Sequence, residues 1–185
     1  MKAVMISVSP KMCEKVASGD CTILVRKTRP KIETPFKCYI YCTKGKENEK
    51  TCFGKYTCHI GNGKVIGEFV CDKITDISVV VRNCNEDYNR VYHNDECKGS
   101  CLTWKELQEY GKGKTLYGWH ISDLAVYDNP REIGEFFCKC NKKYCTGCED
   151  FCDEGETIFR MCGGLKAVTR PPQSWQYVEE KENEK

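Results

Sequence analysis

Gly19-Asp20-Cys21-Thr22-Ile23-Leu24-Val25-Arg26 is a glycine stop followed by a β-branched run that ends on a cation. Gly19 ends the segment before it, because glycine enters left-handed backbone conformations at no steric cost. Residues 21–26 are of the types that favour strands. The next stretch, 27–35, holds two prolines and the cations Lys27, Arg29 and Lys31, and reads as a loop. Upstream, 3–7 alternates as a first strand. Ser9-Pro10 then opens a short helix, with Ser9 as N-cap and Pro10 at the first helical position.

Working outward, 37–42 (Lys-Cys-Tyr-Ile-Tyr-Cys) reads as a strand. Residues 43–63 are polar and lysine-rich, a long hairpin excursion. Residues 64–81 are apolar and β-rich, one long strand with a bend near Asp76, and 83–100 are polar and irregular. Thr103-Trp104-Lys105-Glu106 has the capping-box pattern, opening a helix that Gly111 ends. Residues 115–119 and 122–127 read as two strands, Asn129-Pro130-Arg131-Glu132 as the start of a helix ending near Phe137, and 174–178 as the last strand. No internal repeat is visible. About six or seven mostly consecutive strands with about three short helices predict an α+β fold built on a small, curved or closed sheet.

A chain of 185 residues is expected to form a single domain over 1–185, with a Cys-rich insertion at about 138–164 and a frayed tail at 180–185. The formal net charge is +2, so any nucleic-acid site must be a local patch. The apolar run from Met1 to Val8 is too short for a signal peptide, and no run approaches the ~20 residues of a membrane helix. The expected location is cytoplasmic, and the expected state is a monomer.

There are sixteen cysteines. In a reducing compartment they must be buried thiols, metal ligands or reactive groups rather than disulfides. Cys38, Cys42 and Cys71 lie inside apolar strand-like runs and are expected in the core. Cys138, Cys140, Cys145, Cys148, Cys152 and Cys162 crowd into one polar insertion with too few apolar residues for a core of its own. A tetrahedral structural Zn2+ would supply the missing ordering energy, on the order of 10 kcal/mol in small zinc modules. Cys145 and Cys148 have the turn spacing that lets two sulfurs share one ion, and Cys140 is a natural third ligand. The fourth is Cys138, Cys152 or Cys162; Cys162 is preferred because it would staple the loop's return to its start. A redox-reactive loop or ordinary surface thiols are the alternatives. Cys52, Cys58, His59, Cys97 and Cys101 form a weaker second group.

Three segments carry cations beside aromatic or polar groups. They are Ser9-Pro10-Lys11 at a helix N-terminus, the loop from Arg26 to Lys31, and Trp119-His120 together with Arg170-Pro171-Pro172-Gln173-Ser174-Trp175. Such sets suit single-stranded or flipped-out bases. The plainer reading is a solvated loop for 26–31 and core packing for Trp119, His120 and Trp175.

The run 19–26 falls on the pattern G-x-K-x-x-E-x-R of the ASCH domain, in the PUA-like superfamily. Together with Arg26-Lys27-Thr28-Arg29-Pro30, Gly63-Lys64-Val65-Ile66-Gly67-Glu68-Phe69, Tyr117-Gly118-Trp119-His120-Ile121-Ser122 and 170–175, the chain resembles a phage- and prophage-associated branch of that family. The resemblance covers roughly 1–81 and 115–180. It implies a PUA-like β-barrel with flanking short helices and a cleft for RNA or another nucleic acid. Some relatives hydrolyse acetylated cytidine with a Lys and a Thr of this motif and a distant Glu; others cleave RNA. Here the lysine position holds Cys21 and the threonine or glutamate position holds Leu24, against amidohydrolase activity.

The expected function is therefore nucleic-acid binding, with RNA or modified bases as ligand. Lys11, Arg26, Lys27, Arg29 and Arg170 would meet phosphates, Trp119 or Trp175 would stack, and Gln173 and His120 would read base edges. One alternative is a hydrolase of a modified nucleoside or RNA acting through Glu68 with Lys27 or His120. Another is a protein-interaction module whose zinc loop docks a partner.

Overall fold

The structure is a computed structural model that describes residues 2–44, 63–77, 99–139 and 164–180. Its strands are β1 (Ala3–Val8), β2 (Ile23–Arg26), β3 (Phe36–Cys42), β4 (Val65–Ile77), β5 (Leu116–Arg131), β6 (Phe136–Lys139), β7 (Leu165–Ala167) and β8 (Trp175–Glu180). The helices are α1 (Pro10–Ala17) and α2 (Trp104–Gly111), with a single 3-10 turn at Ile133–Glu135. The fold is α+β, and the strands run in the order β2-β5-β4-β3-β1-β8-β6-β7. β1 pairs with β3 in parallel, and the other ladders are antiparallel.

No ladder joins the two ends of that order among the described residues, so the sheet is open. It is nevertheless strongly curled. β5 and β8 stand four strands apart, roughly 19 Å along a flat sheet at about 4.8 Å per strand. Yet the rings of Trp119 on β5 and Trp175 on β8 lie 5.8 Å apart. The bend comes from the apolar cluster enclosed on one face, which strand alternation selects. Val4, Ile6 and Val8, then Cys38, Ile40 and Cys42, then Phe69 and Cys71 meet Leu24, Trp119 and the Cys13 and Val16 side chains of α1. The intervening positions Ala3, Met5, Tyr39 and Tyr41 point the other way, onto Phe136, Val168 and Val178. β3 is thus covered on both sides, which explains its nearly unbroken apolar sequence. Each such side chain contributes about 1.5–3 kcal/mol on burial.

Several readings hold. Cys38, Cys42 and Cys71 are core residues. Pro10 is the first residue of α1 after Ser9, and the capping box at α2 is formed: Thr103 N–H donates to Glu106 Oε2 at 2.7 Å, and Glu106 N–H to Thr103 Oγ1 at 3.3 Å. Gly111 is the last helical residue of α2 rather than its stop. Lys112 takes the left-handed conformation, at φ 49°.

Two readings fail. The segments 115–119 and 122–127 are one strand: His120 and Ile121 between them pair with Ile23 of β2 and Cys71 of β4, and a bulge falls inside the second segment, with Asp123 at φ 46°, where β4 shifts register. The helix expected over 129–137 is absent. β5 runs through Pro130 to Arg131, which sits opposite Val65. Pairing with β2 ends at His120, so among the described residues this part of β5 has a neighbour on one side only, and it tolerates a residue without an N–H. Glu132 and Glu135 cap a single 3-10 turn, and Phe136 is then buried as part of β6.

Gly67 is required by close packing. A Cβ there would stand 2.5 Å from the Ala125 carbonyl oxygen across the β4–β5 ladder. Among the described residues no helix is long and apolar enough to cross a membrane.

Candidate nucleic-acid interface

Arg26, the last residue of β2, turns inward. Its Nη2 donates to the Ser7 carbonyl at 2.6 Å and its Nη1 to its neighbour Val25 at 2.8 Å. Nε is buried without a partner. Burial pushes the guanidinium's affinity for its proton down, against the opposing influence of Tyr110 and the thiols Cys13, Cys21 and Cys38. A half-buried guanidinium committed to two carbonyls has fewer donors left for a phosphate. Its role is to hold Ser7, which in turn fixes the proline segment. Ser7 Oγ donates to Pro172 O at 2.6 Å, and Ser7 N–H to Ser174 O at 2.8 Å.

Trp119 is likewise interior. It is fully buried, its ring 5.8 Å from both Phe36 and Trp175. It supports Trp175 from behind rather than offering a face to a base. The half-buried His120 lies on the opposite side of β5 with Nε2 3.2 Å from Thr75 Oγ1, a pairing that occupies that nitrogen.

The remaining cations and polar groups are outside. Lys11, Lys27, Arg29, Lys31, Arg170 and Gln173 are exposed, and Trp175 is half-buried. The loop after β2 is stitched to β8 in two places. Trp175 Nε1 donates to Thr28 Oγ1 at 2.9 Å, and the Lys31 N–H donates to the Tyr177 hydroxyl at 2.7 Å. These bonds bring Thr28 against Trp175 and Lys31 against Tyr177. Lys27 Nζ stands 4.6 Å from the Tyr110 ring centroid, and the Arg29 guanidinium 5.6 Å from that of Tyr117. Such contacts lend each cation a preferred direction while leaving its N–H groups able to bond elsewhere.

The groups considered for hydrolysis are tied up. Cys21 is 1% exposed, and burial pushes its thiol up to about 11, so at neutral pH it is protonated and a poor nucleophile. Glu68 accepts from Lys37 Nζ at 2.9 Å and from the Tyr127 hydroxyl at 2.5 Å. Its partners are thus Lys37 and Tyr127, in place of the expected Lys27 or His120. The contact with Glu68 and burial together push the Tyr127 phenol up, burial being the larger cause.

Cys140, Cys145, Cys148, Cys152 and Cys162 lie outside the described residues, as do Cys52, Cys58, His59 and Cys97. Cys138 sits on β6 opposite Lys166 and packs against the second apolar cluster. Among the described residues no three His, Cys, Asp or Glu side chains group as a metal site.

Sequence reasoning missed Ser7, Tyr110, Tyr117 and Tyr177. Tyr177 carried a signal, since it follows Trp175 by two residues and shares its side of β8. Ser7 carried none, because its partners lie 19 and 165 residues away in the chain.

No protein-family model matches the chain, and no curated protein does. Among solved structures it is similar to an ASCH protein from Zymomonas mobilis, at 17% identity over 71% of this chain and 73% of that chain, with a TM-score of 0.49. Two single-residue variants of that protein match at 17% and 18% identity, over 72% and 70% of this chain and 77% and 73% of theirs, with TM-scores of 0.48 and 0.47.

Proposed function

We propose that the chain is a nucleic-acid-binding protein, with RNA or modified bases as its ligand. The observation that carries this reading is the face on which the loop after β2 is bonded to β8. The half-buried Trp175 is bonded there to Thr28, which the exposed Lys27 and Arg29 flank in the chain, and Tyr177 is bonded to exposed Lys31; the exposed Arg170 and Gln173 shortly precede Trp175 in the chain. A local concentration of cations beside a partly open aromatic ring serves phosphate contact and base stacking together. Lys11, at the start of α1, adds to the same charge. Arg26 and Trp119 belong to the support of this face, for the reasons of burial given above.

Hydrolysis is the less supported reading, because Cys21 is protonated and Glu68 is shared between Lys37 and Tyr127. A structural zinc held by Cys140, Cys145, Cys148 and Cys162 is part of the proposal. It is supported by the spacing of those cysteines, and about one zinc per chain in metal analysis is the expected result.

The test is fluorescence anisotropy with short single-stranded RNA, single-stranded DNA and duplex DNA across a salt series. Binding that weakens with salt and falls in Arg29→Ala and Arg170→Ala is expected. Flat traces with all three polymers at low salt would overturn the reading.

A further inference from the structure

A cleft of about 560 Å3 opens along β8, on ground that the face just described does not use except at Trp175 and Lys31. β1 covers β8 on one side from Trp175 to Val178, whereas β6 reaches the other side only at Glu179 and Glu180. The cleft lies where β8 has no second neighbour among the described residues. Its lining includes Lys2, from the residue before β1; Lys31, from the loop after β2; and Lys139, from the end of β6. Three separate segments thus bring three lysines to the lining of one concavity, against one acidic residue, Glu179, among the described residues. Like charges gathered this way repel unless an anion lies between them.

Two further features point to the ligand's other half. Trp175 and Tyr177, with ring centroids 5.4 Å apart and planes at 79°, meet edge to face and form an aromatic corner. Gln176 lies between them in sequence and lines the same cleft. Its Nε2 is buried without a hydrogen-bond partner. A buried amide donor left unpaired is uncommon in a folded protein, and a ligand that accepts its hydrogen bond accounts for it.

We propose that this cleft binds a nucleotide carrying a terminal phosphate monoester, either free or as the phosphorylated end of a strand. A monoester carries about −1.5 to −2 charges near neutral pH, which suits three lysines better than the single charge of an internal diester. The volume falls within the roughly 300–1,000 Å3 range of small-molecule sites, enough for one nucleotide rather than a run of them. Lysines meet the phosphate, the aromatic corner takes the base, and the Gln176 amide, which strand alternation puts on the other side of β8 from the two rings, bonds a phosphate or sugar oxygen. The inference rests on the nucleic-acid reading above and adds to it the recognition of an end.

The test uses the full chain. Trp fluorescence follows titration with adenosine 5′-monophosphate and with adenosine. Anisotropy compares one short RNA bearing a 5′-phosphate, a 3′-phosphate or hydroxyls at both ends. The double variant Lys2→Ala/Lys139→Ala is run beside the wild type, its folding checked by circular dichroism. A free-nucleotide site gives binding of the monophosphate but not of adenosine, weakened about tenfold in the variant. A strand-end site gives tighter binding of one phosphorylated RNA, and the variant loses that advantage. The inference is overturned if no phosphorylated probe has an advantage, or if the variant keeps it. In that event, a hydroxyl-ended RNA whose binding still falls in Arg29→Ala leaves the nucleic-acid reading standing. Binding of the monophosphate without binding of any strand would do the reverse.

Discussion

Arg26 Nη2 donates to the carbonyl oxygen of Ser7 at 2.6 Å, across 19 residues of chain, and both residues are half-buried. The bond ties β2 to β1, while the Ser7 side chain and N–H tie β1 to residues 172 and 174. A cation that looks like a phosphate ligand in the sequence is spent on the backbone.

Arg26→Met should therefore act on stability. Hydrogen bonds to a charged group contribute about 1.5–3 kcal/mol each, so with two such bonds a loss of about 3–6 kcal/mol is expected in urea unfolding. At temperatures where the variant is still folded, nucleic-acid binding should retain its salt slope, since no phosphate contact is removed. A reduced slope with unchanged stability would show that Arg26 reaches the ligand after all.

Arg29→Ala, by contrast, should leave the urea midpoint within the usual small range for surface substitutions and reduce the salt slope by about one unit. Lys27→Ala should behave in the same way. Parallel salt titrations of the three proteins separate contact residues from supporting ones.

Trp119→Ala should cost about 3–5 kcal/mol, since it empties the space between Phe36 and Trp175. Trp119→Phe should cost clearly less. The indole Nε1 is a buried donor without a partner, and the substitution removes it along with the lost volume. Equal costs for the two would mean that the indole nitrogen has a partner in solution.

Gly67→Ala should destabilise by about 1–3 kcal/mol or prevent folding, because the new Cβ would press on the Ala125 carbonyl. Gly134→Ala is the control: nothing lies within 4 Å of a Cβ there, and little change is expected. Thermal unfolding of the two variants decides.

Alkaline pH should weaken the fold through its buried thiols. Burial pushes Cys21 up from 9.0 to about 11 and Cys71 up to about 12, and pushes Cys13 and Cys38 up as well. Above pH 9 the unfolded chain releases these protons while the folded chain keeps them. The stabilisation is therefore complete below pH 9 and is lost as pH rises through 11 and 12, by about 1.4 kcal/mol per pH unit for each thiol. Urea midpoints in the presence of a reductant, taken from pH 8 to pH 11, should fall. Cys21→Ala should show a shallower fall; an identical slope would exclude Cys21 as a contributor.

The residues themselves determined what depends on neighbours along the chain. Alternation fixed which side chains of β1 and β3 share a side, the capping box at Thr103 and Glu106 fixed the start of α2, and Ser9-Pro10 fixed the start of α1. Apolar context fixed Cys38, Cys42 and Cys71 as interior. The cations of 26–31 and the 170–175 segment were legible as one group by composition. Tertiary structure alone decided which members of that group face outward. Arg26 and Arg29 are the same residue type three positions apart. Only the arrival of Ser7 beside the end of β2 turns one inward, because the buried carbonyls there need donors that water cannot supply. Only the curl of the sheet, which carries β5 to β8, puts Trp119 behind Trp175 instead of beside it. Likewise, the neighbour-poor side of β5 lets the strand pass through Pro130, where local sequence points to a helix. In each case the deciding contact joins residues far apart in the chain, and its energy exceeds the local preference it overrides.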